Sequence, residues 1–243
     1  MVRGAGSTAI LLFASLASCG SAKPRTDADV SSRLFPEAHR PVAPIVSSRF
    51  STEEDRDRIR EAGTVMDKAG IARGMTVADI GAGEGYYTVR LAQRVGKSGR
   101  VLAEDIVPAV RDTLAERATR ERLDNVSVRL GSPADPKLPA NSFDRVFMVH
   151  MYHEIAAPYE FLWRLRPSLR NGGRIVLVDA DRPTSQHGTP PALLDCEMRA
   201  VGYTRVTRMT LRAADAYLAL YEAAGPRPAP ETIVPCTMAG TAG

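Results

Sequence analysis

A short apolar run, Val77-Ala78-Asp79-Ile80, ends on glycines at alternate positions, Gly81, Gly83 and Gly85, and passes directly into a helical pattern from Tyr86. Glycine admits backbone angles closed to other residues and lets a ligand approach the main chain, while the first turn of a helix presents N–H groups without internal partners. The pattern predicts an α/β unit holding a nucleotide-like ligand at the carboxyl end of its strand. Glycine-rich turns also serve purely structural ends, so the rest of the chain must decide between the two.

Apolar runs over 76–80, 100–105, 126–130, 145–149 and 174–178 read as short strands, and patterned segments over 86–95, 108–118 and 158–166 as the helices between them. Such aliphatic strands suit a parallel sheet covered on both faces. A further helix is expected over 190–200, with Pro190 in its first turn and Gly202 beyond its end. Runs over 204–209 and 216–220 predict an antiparallel hairpin at the sheet edge. Upstream, Ser51 and Glu54 form a capping box for one helix reaching Ala69, with Ile59, Ala62, Met66 and Ala69 on one face. The expected fold class is α/β: a doubly wound, mostly parallel seven-stranded sheet closed by a C-terminal antiparallel hairpin.

At 243 residues and 44% hydrophobic, the chain can build one domain with an appendage. The net charge of +4 comes from arginines scattered among acids, so no nucleic-acid partner is expected. Arg3, an apolar stretch over 8–17 too short to span a bilayer, and Leu16-Ala17-Ser18-Cys19 together resemble a bacterial lipoprotein signal peptide. That resemblance implies removal of residues 1–18 and a lipidated Cys19 holding an extracytoplasmic protein at the membrane, acyl burial contributing about 0.8 kcal/mol per CH₂. Residues 19–50, broken by Pro24, Pro36, Pro41 and Pro44, read as a tether whose apolar 41–46 stretch is suited to lie against the domain. The domain is expected over 51–224 and surface coil over 225–243. Beyond the leader only Cys196 and Cys236 remain, and their spacing does not decide whether they pair.

Several separated segments agree on one family. Asp79-Ile-Gly-Ala-Gly-Glu-Gly85, the strand Arg100-Val-Leu-Ala-Glu-Asp105 ending in an acid, Leu138-Pro139-Ala-Asn-Ser-Phe143-Asp144, and Leu169-Arg-Asn-Gly172-Gly173 resemble the motifs of class I S-adenosylmethionine-dependent methyltransferases. The resemblance runs from about Ser51 to Glu222, and the terminal hairpin belongs to it. It implies S-adenosylmethionine as cofactor, with Gly81, Gly83 and Gly85 curling around its methionine part, Asp79 meeting its ammonium and Asp105 its ribose hydroxyls. Ser132 stands where the family often places an acid facing the adenine amine. The competing reading of Asp105 is a charge near the amino end of the following helix.

Methyl transfer asks mainly for positioning, because the sulfonium is already a good leaving group. The segment His150-Met-Tyr152-His153-Glu154 leaves the fourth strand at its ligand end, so His153, Tyr152 and His150 are the candidate catalytic residues, with Glu154 orienting a histidine. Each histidine has a bland alternative as a packed or capping group. Their order does not match the helical His-Glu-x-x-His zinc motif, and no metal is expected. His187, with Thr189, lies in the polar loop after the fifth strand, where this family commonly binds acceptors. The Asn/Asp-Pro-Pro-aromatic motif of many base-amino methyltransferases is absent after the fourth strand, so a small-molecule acceptor is expected.

Two other classes compete. A nicotinamide-dependent oxidoreductase also places glycines after a strand, but its fingerprint wants the third glycine where this chain has Tyr86. A non-catalytic binding lipoprotein is the other, because a charged cofactor made in the cytosol does not cross a bilayer unaided.

Overall fold

In the computed structural model residues 1–2, 27–45 and 52–237 are described, so the leader, Cys19, Val46 and Ser51 lie outside the described residues. The chain divides into two units, Met1–Val30 and Ser31–Gly243. The described part of the first holds one 3₁₀ turn, Asp27–Asp29. Among the described residues, all the regular helices and strands belong to the second.

These are α1 (Glu53–Arg58), α2 (Glu61–Lys68), β1 (Thr76–Ile80), α3 (Tyr86–Val95), β2 (Arg100–Asp105), α4 (Pro108–Arg120), β3 (Val126–Leu130), β4 (Phe143–Val149), α5 (Pro158–Leu165), β5 (Leu169–Asp179), α6 (Pro191–Ala200), β6 (Tyr203–Leu211) and β7 (Ala216–Ala223). The strands form one sheet in the order β3-β2-β1-β4-β5-β7-β6. Neighbours from β3 to β5 run parallel, and β7 pairs antiparallel with both β5 and β6. The expected doubly wound sheet with its closing hairpin is the observed one. Between β1 and β4 the strand order reverses, opening the crevice where such sheets bind ligands.

The central strands are buried because helices cover them: Val77, Ala78 and Ile80 of β1 and Val146, Phe147 and Met148 of β4 are almost wholly inaccessible. Three segments depart from the sequence reading. The single helix expected up to Ala69 is two helices, since Arg60 takes a left-handed backbone (φ 55°) between them. Its cap is Thr52, whose hydroxyl accepts from Asp55 N–H at 3.1 Å. Ile59, expected on the apolar face, falls at the break and is exposed, whereas Ala62, Val65, Met66 and Ala69 are buried.

Part of the expected tether belongs to the folded body. Arg40 is fully buried, donating from Nε to Glu197 Oε1 at 2.8 Å and from Nη2 to the Ile155 carbonyl at 3.1 Å. Phe35 meets Trp163 edge to face, and Ala43 is buried with its N–H on the His153 carbonyl at 3.2 Å. The tail expected as surface coil is also docked: Trp163 Nε1 donates to the Pro228 carbonyl, Ile233 is buried, and Cys236 is joined to Cys196 of α6 by a disulfide. Closing a loop across 40 residues restricts the unfolded chain. Paired Cys196→Ser and Cys236→Ser substitutions are expected to lower unfolding free energy by about 2–3 kcal/mol, read from urea midpoints. An unchanged midpoint in oxidising buffer would show that the cross-link carries no stability.

Candidate active site

The loop between β1 and α3 is held by β2. Ala82 N–H donates to the Glu104 carbonyl at 2.9 Å, and Gly83 N–H to Asp105 Oδ2 at 3.0 Å. Asp105 Oδ1 accepts from Val107 N–H at 2.9 Å, so the carboxylate spans the loop and the entry to α4. Gly83 has φ 56° and open space where a side chain would begin, while at Gly85 a Cβ would stand 2.4 Å from Leu114 of α4. One glycine thus clears the crevice and the other permits helix–loop packing.

Asp79 sits behind this loop. It is buried, accepts from Thr88 Oγ1 at 2.6 Å, and burial pushes its carboxyl up to about 6 against the opposing effects of Thr88 and the Arg56 charge. Arg56 lies over the Tyr86 ring and is bound through two nitrogens by Glu61. Glu61 also accepts from Tyr87 at 3.0 Å and stands 3.6 Å from His150 Nε2. Although burial would raise it, the nearby His150 and the hydrogen-bonded Arg56 hold Glu61 down at about 2.

Across the crevice, the exits of β4 and β5 converge. His153 is buried in a 3₁₀ turn, Tyr152–Glu154, with Nδ1 at 3.0 and 3.1 Å from the two carboxylate oxygens of Asp179. A carboxylate only accepts, so this network assigns the proton to Nδ1 and leaves Nε2 as the donor of a lone pair. Asp179 is itself fixed by Thr189 Oγ1 at 2.7 Å and Ala180 N–H at 2.9 Å. The His187 ring meets His153 edge to face with centroids 5.4 Å apart. The N-terminal segment bears on the same two exits, since Thr184 Oγ1 donates to the Pro41 carbonyl at 2.6 Å and Ala43 bonds to His153.

Candidates expected from the sequence therefore separate. Asp79, Gly81, Gly83, Gly85 and Asp105 gather at the β1–β2 end of the crevice. Ser132 folds back on its own turn, its hydroxyl donating to the Asp135 carbonyl at 3.0 Å. Of the catalytic candidates, His153 stands with Asp179, His150 turns to Glu61, and Tyr152 is fully buried with its hydroxyl donating to Glu197 at 2.7 Å. Tyr152 is thus a correction: the 3₁₀ turn points its ring into the core, where Arg40 and Glu197 meet it. Asp179, Glu104 and Thr88 were missed. An acid closing the aliphatic run Ile175-Val-Leu-Val-Asp179 was a usable signal for the first, since ligands gather at carboxyl ends of strands.

Residues 78–177 match the family model described as a methyltransferase domain. This segment is therefore similar to methyltransferase domains. Among curated relatives, it resembles nocamycin O-methyltransferase of Saccharothrix syringae, 41% identical over 116 residues, which are 46% of this chain and 40% of that protein. It also resembles a ubiquinone/menaquinone biosynthesis C-methyltransferase of Hahella chejuensis, 29% identical over 49% of each chain. The chain thus spans half or less of the length of these relatives. Among solved structures, a SAM-dependent methyltransferase from Aquifex aeolicus superposes with TM-score 0.64 at 22% identity, covering 69% of this chain and 92% of that one. The [4+2]-cyclase SpnF superposes with TM-score 0.61 at 16% identity, covering 77% and 87%. The architecture is the class I methyltransferase fold. The residues of the crevice fit S-adenosylmethionine: the space above Gly83 is open, and the Asp105 carboxylate keeps acceptor sites beyond those taken by Gly83 and Val107.

Proposed function

We propose that the protein transfers a methyl group from S-adenosylmethionine to a small-molecule acceptor by in-line displacement. The observation that carries this reading is the glycine loop locked to Asp105 at the switch between β1 and β4, with free space over Gly83. S-adenosylmethionine supplies a methyl group activated on a sulfonium. The protein's own work is to hold the donor through Gly81 to Gly85, Asp105 and Asp79, to place the acceptor at the exits of β4 and β5, and to exclude water. His153, steadied by Asp179, is the polar group best placed to orient an acceptor. The names of the relatives, tied to nocamycin and to ubiquinone/menaquinone biosynthesis, support small organic acceptors.

Calorimetry with S-adenosylmethionine and its demethylated product tests the reading. Saturable binding of both is expected, and no binding by the folded protein would overturn it. The affinity is also expected to depend on pH. Asp79, pushed up to about 6, must be ionised to attract the ligand's ammonium, so affinity falls toward tenfold per pH unit as pH drops below that value. A flat profile between pH 5 and 7.5 would remove Asp79 from ammonium recognition.

For location, we propose lipid anchorage at Cys19 outside the cytoplasm. The leader supports it, and so does the Cys196–Cys236 disulfide, since such bonds persist in oxidising compartments. Labelled fatty acid should be incorporated into the wild type and lost in Cys19→Ser; equal labelling of both would refute the anchor. Outside the cytoplasm donor supply is restricted, which favours a second reading as a non-catalytic binding protein. Release of demethylated product with candidate acceptors separates the two.

A further inference from the structure

We infer that His153, Glu154 and His187 form a site for a divalent transition-metal ion of the zinc class. One potential ligand atom from each lies within 4.8 Å of the others, and they come from the two loops that meet at the acceptor side of the crevice. Ligands bound to such an ion at about 2.0–2.1 Å stand roughly 3.4 Å apart, which a small rotation of the half-buried His187 and Glu154 side chains supplies.

The support behind the cluster points the same way. His153 donates an Nδ1–H hydrogen bond to Asp179, and Asp179 is fixed by Thr189 and the Ala180 N–H, so the tautomer is set and Nε2 keeps its lone pair. A carboxylate that orients a histidine through its far nitrogen is the usual outer partner of a metal-bound imidazole, raising its basicity and fixing its ring. Two imidazoles and one carboxylate suit zinc-class ions, and three protein ligands leave room for an exogenous one. Both cysteines of the domain are held in a disulfide, so thiolates do not compete for the ion. No sequence motif announces the site, because His187 arrives from the β5 exit while His153 and Glu154 leave β4. For the acceptor, the site favours a molecule offering a hydroxyl or thiol as the remaining ligand. That last step rests on the proposed methyl transfer; the metal site itself does not.

The test is titration of the chelator-treated full chain with Zn²⁺ alone by calorimetry, with Co²⁺ absorption as the coordination readout. One ion per chain is expected, with Co²⁺ bands in the visible. His187→Ala and Glu154→Gln should each weaken Zn²⁺ binding by at least about tenfold and alter the Co²⁺ spectrum, while melting temperature and S-adenosylmethionine affinity stay near wild type. Asp179→Asn, which keeps the hydrogen-bonding shape but not the charge, should weaken Zn²⁺ binding by about 10- to 100-fold. Absence of saturable Zn²⁺ binding, or binding unchanged in both His187→Ala and Glu154→Gln, overturns the site. S-adenosylmethionine binding without zinc binding would sink this inference and leave the methyltransferase reading intact, and the converse would do the reverse.

Discussion

Replacing Asp105 with alanine is expected to weaken S-adenosylmethionine binding about 10³-fold, the largest loss of affinity from any single change in the crevice. A ribose diol gives a carboxylate two charge-assisted hydrogen bonds, each contributing about 1.5–3 kcal/mol. Loss of the pair corresponds to roughly 4 kcal/mol, or about three powers of ten. The same substitution removes the acceptors of Gly83 and Val107, so the loop loses its tie to β2 and the start of α4 loses a fixed N–H. Folding should weaken by only about 1–2 kcal/mol, because the freed N–H groups border the crevice and water can reach them. Asp105→Asn retains an acceptor and should lie between wild type and Asp105→Ala. Calorimetry on samples matched for melting temperature separates the effects, and an Asp105→Ala affinity within threefold of wild type would mean that the carboxylate does not meet the ligand.

The sheet and the glycine loop were legible in the sequence because both are local. The aliphatic runs of β1 and β4 are buried on both faces, which gives strong signals without a partner being known. What was not legible depends on distant pieces. Arg40 reads as one more charge in a proline-broken tether, yet it fills a buried place opposite Glu197, 157 positions away. The segment after β4 misled for a different reason. In an irregular turn, direction does not follow strand alternation, and three neighbouring candidates diverge: His150 to Glu61, Tyr152 to Glu197 and His153 to Asp179. Only the last reaches the convergence of the two loops, and its partners there, Asp179 and His187, come from the end of β5 and beyond. The break at Arg60, where the backbone turns left-handed, left no mark of its own, since arginine is a good helix former.

Glu104→Gln is expected to stabilise the protein above pH 8 and leave it nearly unchanged at pH 5. Glu104 precedes Asp105, is almost wholly buried, and reaches into the space where a side chain at position 131 would begin. A Cβ on Gly131 would stand 1.3 Å from Glu104 Oε1, so a side chain there would displace the carboxyl. Oε1 finds no hydrogen-bond partner among the described residues. Burial, reinforced by the Asp105 charge and opposed by the Gly81 N–H, pushes the carboxyl from its ordinary 4.5 up to about 8. The folded protein therefore holds a proton that the unfolded chain releases. The associated stability is present in full below pH 4.5 and is lost as pH rises to 8, above which the slope vanishes. At about 1.4 kcal/mol for each pH unit that separates the folded and unfolded values, the full loss is on the order of 4–5 kcal/mol, an upper figure because the folded state can relax to admit water. Glutamine keeps the shape and carries no charge at any pH, so its stability should be flat where the wild type declines. Urea unfolding at pH 5, 7 and 9 reads both slopes. Parallel profiles would show that Glu104 ionises in the folded protein much as it does in the unfolded chain. A glutamine variant weaker at every pH would show instead that the carboxyl has a partner which the amide cannot replace.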